Sequence, residues 1–261
     1  MWFHIIKGLN YFLFSRHKKG HGIHSPFMFD LIDNVFCDET SYQVYETINY
    51  YRQQQLSNHE FLSVTDYGAK AKGNTELKKI SKVMKHSVIS SKYGELLFRM
   101  VNHYKPETII ELGTCLGFGT MYLSLGNEQS KVVTLEGSEE YVHMAQSIWK
   151  NLSLKNIESH TGTFETLLPS VLENIKTIDF VFFDGNHTYD ATMNYFNQCV
   201  AKAHTKTIFI FDDIYWSMGM YHAWKDICSH EKVRLTIDIF RMGFVFFNEN
   251  ILSKQHKTIR F

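Results

Sequence analysis

Several things are missing from this chain. Lys and Arg together number 27, as do Asp and Glu, so there is no net charge of either sign. That balance argues against a nucleic-acid protein working by bulk charge, although a local basic patch stays open. The four cysteines, Cys37, Cys115, Cys199 and Cys228, are far apart, with no C-x-x-C and no metal-finger spacing. They read as reduced thiols of a cytoplasmic protein. No stretch approaches the ~18–20 apolar residues of a membrane span. The opening segment, Trp2 to Phe14, is apolar but carries His4, Lys7 and Asn10 and has no small-residue cleavage site, so no secretory signal is expected. Repeats and low-complexity segments are absent too.

What is present is a core-forming composition, 44% apolar and 15% aromatic, in two sections of different character. Residues 1–90 are aromatic and lean towards helix, interrupted by His/Gly/Lys-rich loops, and are expected to form a helical cap or extension. Within them Ser25-Pro26 predicts a helix start, serine as N-cap and proline at N1. The stretch Tyr67 to Asn74 reads as a mobile loop. From Ser91 the apolar positions Tyr93, Leu96, Leu97, Met100, Val101 and Tyr104 predict one helix face, stopped at Lys105-Pro106. Beyond it the pattern becomes regular strand–helix alternation. Strands are expected at Thr108–Leu112, Val132–Leu135, Ile157–His160, Ile178–Phe183, Ile208–Phe211, Leu235–Phe240 and Phe244–Phe247, mostly as the short apolar runs of buried parallel strands. Only Arg241-Met242-Gly243 separates the last two, so they must pair antiparallel. The prediction for residues 91–261 is a doubly wound α/β domain with seven strands, mostly parallel, closed by an antiparallel hairpin.

The chemistry-bearing residues fall at the predicted strand ends. After the first strand comes Glu111-Leu112-Gly113-Thr114-Cys115-Leu116-Gly117-Phe118-Gly119. Its glycines allow a tight turn and close approach of a ligand. The spacing G-x-x-x-G-x-G is neither the dinucleotide fingerprint nor a P-loop. Glu136 closes the second strand, where its two oxygens could accept both hydroxyls of a ribose. Gly162-Thr163-Phe164-Glu165 follows the third strand and should flank an adenine. Phe164 either packs on the base or belongs to the core, and Glu165 could accept from the base amino group. Asp184 ends the fourth strand and Asp212-Asp213 the fifth. Neighbouring strands lie ~4.8 Å apart, so these three acids should converge. Mutual repulsion and all-oxygen ligation then suit a hard cation such as Mg²⁺, with helix capping the plainer alternative for each aspartate taken singly. His187, three residues past Asp184, suits removal of a hydroxyl proton, or is simply one of 14 histidines at the surface.

With these residues in view, positions 91–261 resemble class I S-adenosylmethionine (SAM)-dependent O-methyltransferases. The small-molecule, metal-dependent group is the nearest: catechol, caffeoyl-CoA and macrolide-sugar O-methyltransferases. The resemblance rests on Lys92-Tyr93-Gly94-Glu95-Leu96-Leu97, Glu111-x-Gly113-x-x-x-Gly117, Glu136, Gly162 to Pro169, Asp184–His187 and Asp212-Asp213. It implies SAM held by Glu111, Gly113, Gly117, Glu136, Gly162, Phe164, Glu165 and Asp184. It also implies Mg²⁺ on Asp184, Asp212 and Asp213, and His187 in the place of the base. The acidic pair departs from the Asp-Asn of the catechol and caffeoyl enzymes and agrees with the sugar enzymes. The leader His21-Gly22-Ile23-His24-Ser25-Pro26-Phe27 is similar to that of uncharacterised methyltransferase-like proteins. The expected activity is Mg²⁺-assisted O-methylation of a hydroxylated small molecule, with Tyr215 and Trp216 suggesting a flat or apolar acceptor or serving only in packing. Two other readings stay open. One is a SAM enzyme acting on RNA or protein, supported only by Arg16-His17-Lys18-Lys19. The other is peripheral membrane attachment through Trp2–Phe14. A homodimer stays open as well.

Overall fold

In the computed structural model, which describes residues 2–15, 25–67 and 74–261, helix α1 (Trp2–Phe14) is followed by α2 (Pro26–Leu31). Ser25 caps α2 as expected, its hydroxyl accepting from the Met28 N–H at 3.4 Å with Pro26 at the first helical position. The helix runs on through a π-turn at Ile32–Phe36. Next come α3 (Gln43–Leu56), a hairpin of β1 (Phe61–Asp66) and β2 (Asn74–Lys79), α4 (Ile80–His86) and α5 (Ser91–Tyr104). Strands and helices then alternate as β3 (Thr108–Leu112), α6 (Phe118–Gly126), β4 (Lys131–Glu136), α7 (Glu139–Asn151), β5 (Ile157–Thr161), α8 (Phe164–Glu173), β6 (Ile178–Phe183), α9 (Tyr189–Val200) and β7 (Ala203–Phe211). The chain closes with α10 (Met218–Ser229), β8 (Leu235–Asp238), β9 (Gly243–Phe246) and β10 (Gln255–Thr258). The fold is α/β, with mostly parallel strands and the β8–β9 pair antiparallel. All seven expected strands form. The hairpin β1–β2 and the strand β10 add to them. The basic run Arg16–Lys19 and the leader residues His21–His24 lie outside the described residues.

The chain packs as two compact units, Asp38–Leu168 and a discontinuous one made of the residues up to Cys37 with Pro169–Phe261. These bounds differ from a division at residue 90, and the contacts say why. Inside the first unit the segment before α5 is fastened to it and to α6: Tyr42 and Tyr45 meet Phe98 edge-on at 4.9 and 5.3 Å, and the Arg52 guanidinium lies 5.1 Å from the Phe118 ring. Arg52 also donates to the Ile89 carbonyl at 2.6 Å. Helix α5 ends where expected, with Lys105 left-handed at φ 48° ahead of Pro106. Parallel β3, β4 and β5 follow in that order, Glu111 in register with Thr134 and Glu136 with Thr161.

In the other unit α1 is held by α10, the turn before β9 and the end of the chain. Phe3 meets Tyr221, Lys7 sits 3.5 Å over the Tyr221 ring, and Gly8 faces the Phe240 ring. Tyr11 donates to the Ile259 carbonyl at 2.7 Å and accepts from the Phe261 N–H at 3.0 Å. The strand order is β6, β7, β9, β8, β10. Phe180, Phe182, Phe209, Phe211, Phe244 and Trp224 are fully buried there, and truncating one such ring to alanine costs about 3–5 kcal/mol. The register sets Phe211 beside both Phe183 and Gly243. That pairing brings the turn before β9 to the end of β7, where the acidic pair begins. No described helix is long and apolar enough to cross a membrane.

Candidate functional site

One cluster of candidate residues, within the unit Asp38–Leu168, is built on the ends of β3, β4 and β5. Between β3 and α6 three residues in five take positive φ: Gly113 at 110°, Cys115 at 48° and Gly117 at 77°. Gly113 donates to the Leu135 carbonyl at 3.0 Å and Gly117 to the Thr114 carbonyl at 2.8 Å, which folds the loop back on itself. Gly117 has a second reason to be glycine. A Cβ there would stand 2.7 Å from both the Ala145 Cβ and the Trp149 ring, and Trp149 Nε1 donates to its carbonyl at 3.1 Å. The loop is thereby locked to α7. Gly94, from the segment preceding the first strand, is pressed against the Tyr122 ring of α6, so its part is packing.

Glu136 is fixed by this loop. Its Oε2 accepts from the Cys115 N–H at 2.8 Å and its Oε1 from the Ser138 N–H at 3.0 Å. A carboxylate offers about four lone-pair sites, more than these two bonds use. Gly137 beside it lies under the Tyr67 ring. Gly162, at φ 150°, donates to the Glu136 carbonyl at 2.9 Å and starts the turn into α8. There Phe164 is half-buried and Glu165 exposed.

Glu111 lies below the loop, fully buried. Its Oε2 accepts from Thr120 at 2.5 Å and Thr134 at 2.6 Å, while Oε1 has no partner. Burial pushes its pKa up to about 7, with the charge of Glu136 adding to the rise and the two threonine hydroxyls opposing it. A buried acceptor without a donor calls for one from a ligand or a water. The residues therefore fit SAM: acceptors for a diol, an orphan carboxylate oxygen for a donor, and backbone without side chains where a ligand must come close.

A separate cluster, within the other unit, is built on the ends of β6 and β7. Asp212 donates its N–H to the Phe183 carbonyl at 2.9 Å, and Asp213 is left-handed at φ 52°. Asp184 and His187 are each about one-fifth exposed, with His187 Nε2 3.9 Å from Asp184 Oδ1, too long for a hydrogen bond. The Trp216 ring, half-exposed, is 6.3 Å from that imidazole. Tyr215 is committed elsewhere, donating to Asp238 at 2.5 Å and stacked on Tyr221 and Phe240.

Sequence reasoning missed Arg241. Its Nε donates to Asp212 Oδ1 at 3.0 Å and its terminal nitrogen to Oδ2 at 2.8 Å, a two-pronged pair with a carboxylate that is only 1% exposed. Asp213 Oδ1 is 3.9 Å from the same Nε. Burial works against the Arg241 charge, but the bonds to Asp212 and the charges of Asp212, Asp213 and Asp184 hold it above its ordinary value. Burial, followed by the Asp212 charge, raises Asp213. The expected magnesium set of Asp184, Asp212 and Asp213 meets a competing cation here. Both Asp212 oxygens already serve a guanidinium, and among the described residues no group of three His, Cys, Asp or Glu side chains could hold a metal ion. The donor set does not fit Mg²⁺, which demands near-octahedral oxygen ligation at ~2.0–2.1 Å. A signal was present: Arg241 is the sole basic residue between β8 and β9, two positions before the register partner of Phe211.

Residues 110–214 match a family model described as a methyltransferase domain. The match runs from β3 to just past Asp213 and covers less than half of the chain. Catechol O-methyltransferase B of Danio rerio is 29% identical over 101 residues, 37% of this chain and 38% of its own, so this chain spans little more than a third of that curated relative. Among solved structures, the O-methyltransferase from Bacillus cereus in complex with SAH aligns with a TM-score of 0.57 at 19% identity, over 81% of this chain and 94% of that one. The O-methyltransferase TomG from Streptomyces achromogenes, in complex with SAM, aligns with 0.58 at 14% identity, over 80% and 91%. At such identities the structural likeness establishes the fold alone.

Proposed function

We propose that the protein transfers the methyl group of SAM to a hydroxyl oxygen of a small molecule. The observation that carries this is the Glu136 carboxylate, held by the N–H groups of Cys115 and Ser138 beside a loop with three left-handed residues. The family match over residues 110–214 and the names of the relatives support it. SAM, when bound, supplies an electrophilic methyl carbon on a sulfonium. Glu136 would accept from the ribose hydroxyls and Glu111 Oε1 from a donor of SAM, while Gly113 and Gly117 leave the backbone bare for close approach. Phe164, Glu165 and Gly162 are assigned to the adenine side, and Asp184 to orienting the ligand. Transfer to the acceptor oxygen would form a C–O bond and break the C–S bond, the pair staying on sulfur. His187 takes the hydroxyl proton. No step in this reading uses a divalent ion. Calorimetry tests it: SAM should bind the wild type, and Glu136→Ala should lose ~1.5–3 kcal/mol of affinity, as for a charge-assisted hydrogen bond. A wild type with no SAM affinity at millimolar concentration would remove the reading.

A further inference from the structure

Three carboxylates gathered at two neighbouring strand ends need a counter-charge. Here it comes from inside the chain. Arg241 spends two N–H groups on Asp212, lies near Asp213, and also feels the charge of Asp184. The guanidinium is placed by the fold itself. The antiparallel register of β7 with β9 sets Gly243 beside Phe211, and the Ile214 N–H donates to the Arg241 carbonyl at 3.2 Å, which pins the turn against the acidic pair. A planar fork with a permanent charge suits a carboxylate better than an ammonium would, and it needs no hydration shell stripped on each encounter. A dication approaching Asp212 would have to displace it and then sit beside a positive charge.

We propose that Arg241 is the resident cation of this corner, taking the place a divalent metal would otherwise fill, so that the protein neither binds nor requires one. Asp212 is then a positioning residue for Arg241, with Asp213 and His187 on the side of the acceptor. The consequence for turnover rests on the methyl-transfer reading; the binding claim stands apart from it.

The test is a titration of Mn²⁺ followed by electron paramagnetic resonance, on the full chain without acceptor. The wild type should leave the free-ion spectrum unchanged up to millimolar protein. Arg241→Ala should acquire saturable Mn²⁺ binding, weakened at least about tenfold by adding Asp213→Asn. Where Arg241→Ala does not fold, Arg241→Gln, which keeps a stem and an amide without the charge, carries the same titration. Saturable Mn²⁺ binding by the wild type that is lost in Asp213→Asn would overturn the proposal. So would a folded Arg241 variant that gains no metal binding. Wild-type turnover should be the same in EDTA as in Mg²⁺, whereas that of Arg241→Ala should depend on the added ion. If no hydroxyl acceptor is methylated at all, the Mn²⁺ result still decides the role of Arg241, and only the methyl-transfer reading fails.

Discussion

Glu111 illustrates how one buried side chain couples ligand and stability. Its folded-state pKa of about 7, against an ordinary 4.5, means that the folded protein holds this proton more tightly than the unfolded chain. Stability is therefore unpenalised below about pH 4.5 and declines as pH rises through about 7, by on the order of 3 kcal/mol for this group alone. Glu111→Gln should flatten that slope and raise the urea midpoint at pH 8 in the absence of ligand. An unchanged pH slope in the variant would show that the carboxylate is relieved in some other way. His187 makes a purely kinetic prediction. His187→Ala should reduce turnover by about 10²–10⁴-fold with SAM affinity intact, and added imidazole should restore part of it. A variant that keeps most of its turnover would point to an acceptor ionised before it binds.

Among the elements, α6 and its loop make the sharpest case. Gly117→Ala places a methyl against Ala145 and Trp149 at a left-handed position. Overpacking of about 1–3 kcal/mol and a left-handed cost of ~1–2 kcal/mol act together. Denaturant melts should register that loss, and SAM affinity should fall with it because Cys115 and Glu136 share the loop. The strands were legible because their apolar runs are short, continuous and bounded, as the buried flanks of β3, β6 and β7 show. Strand β10 was not: Gln255-His256-Lys257-Thr258 is polar, because an outermost strand needs no apolar run, and only its pairing with β8 makes it a strand. The hairpin β1–β2 was missed for a similar reason, Asn74–Lys79 being largely exposed. At the site, the acids and glycines were readable from strand-end positions. Arg241 was hidden because its partner lies 29 residues away, joined by a register that sequence spacing does not reveal.

At the scale of the whole molecule, ligand and fold are linked by mass action. SAM at a hundredfold its dissociation constant should add about 2.7 kcal/mol to unfolding. In a melt that should show as a rise of several degrees, at ~2–4 °C per kcal/mol for a chain approaching this size. A melting temperature indifferent to saturating SAM would contradict a site preformed in the folded protein. The Tyr11 hydroxyl, held between Ile259 and Phe261, has a different consequence, one of timing. At ~5–20 residues per second of synthesis, the 248 positions separating Tyr11 from Ile259 amount to about 12–50 s. Until that interval ends α1 lacks the last of its partners, with Leu9, Phe12 and Leu13, exposed even in the finished structure, already in solvent. The continuous unit Asp38–Leu168 meets no such delay. Nascent chains arrested short of Met218, before α10, should therefore protect β3, β4 and β5 from proteolysis while α1 is still cut, so that the N-terminal helix docks after the continuous unit has formed.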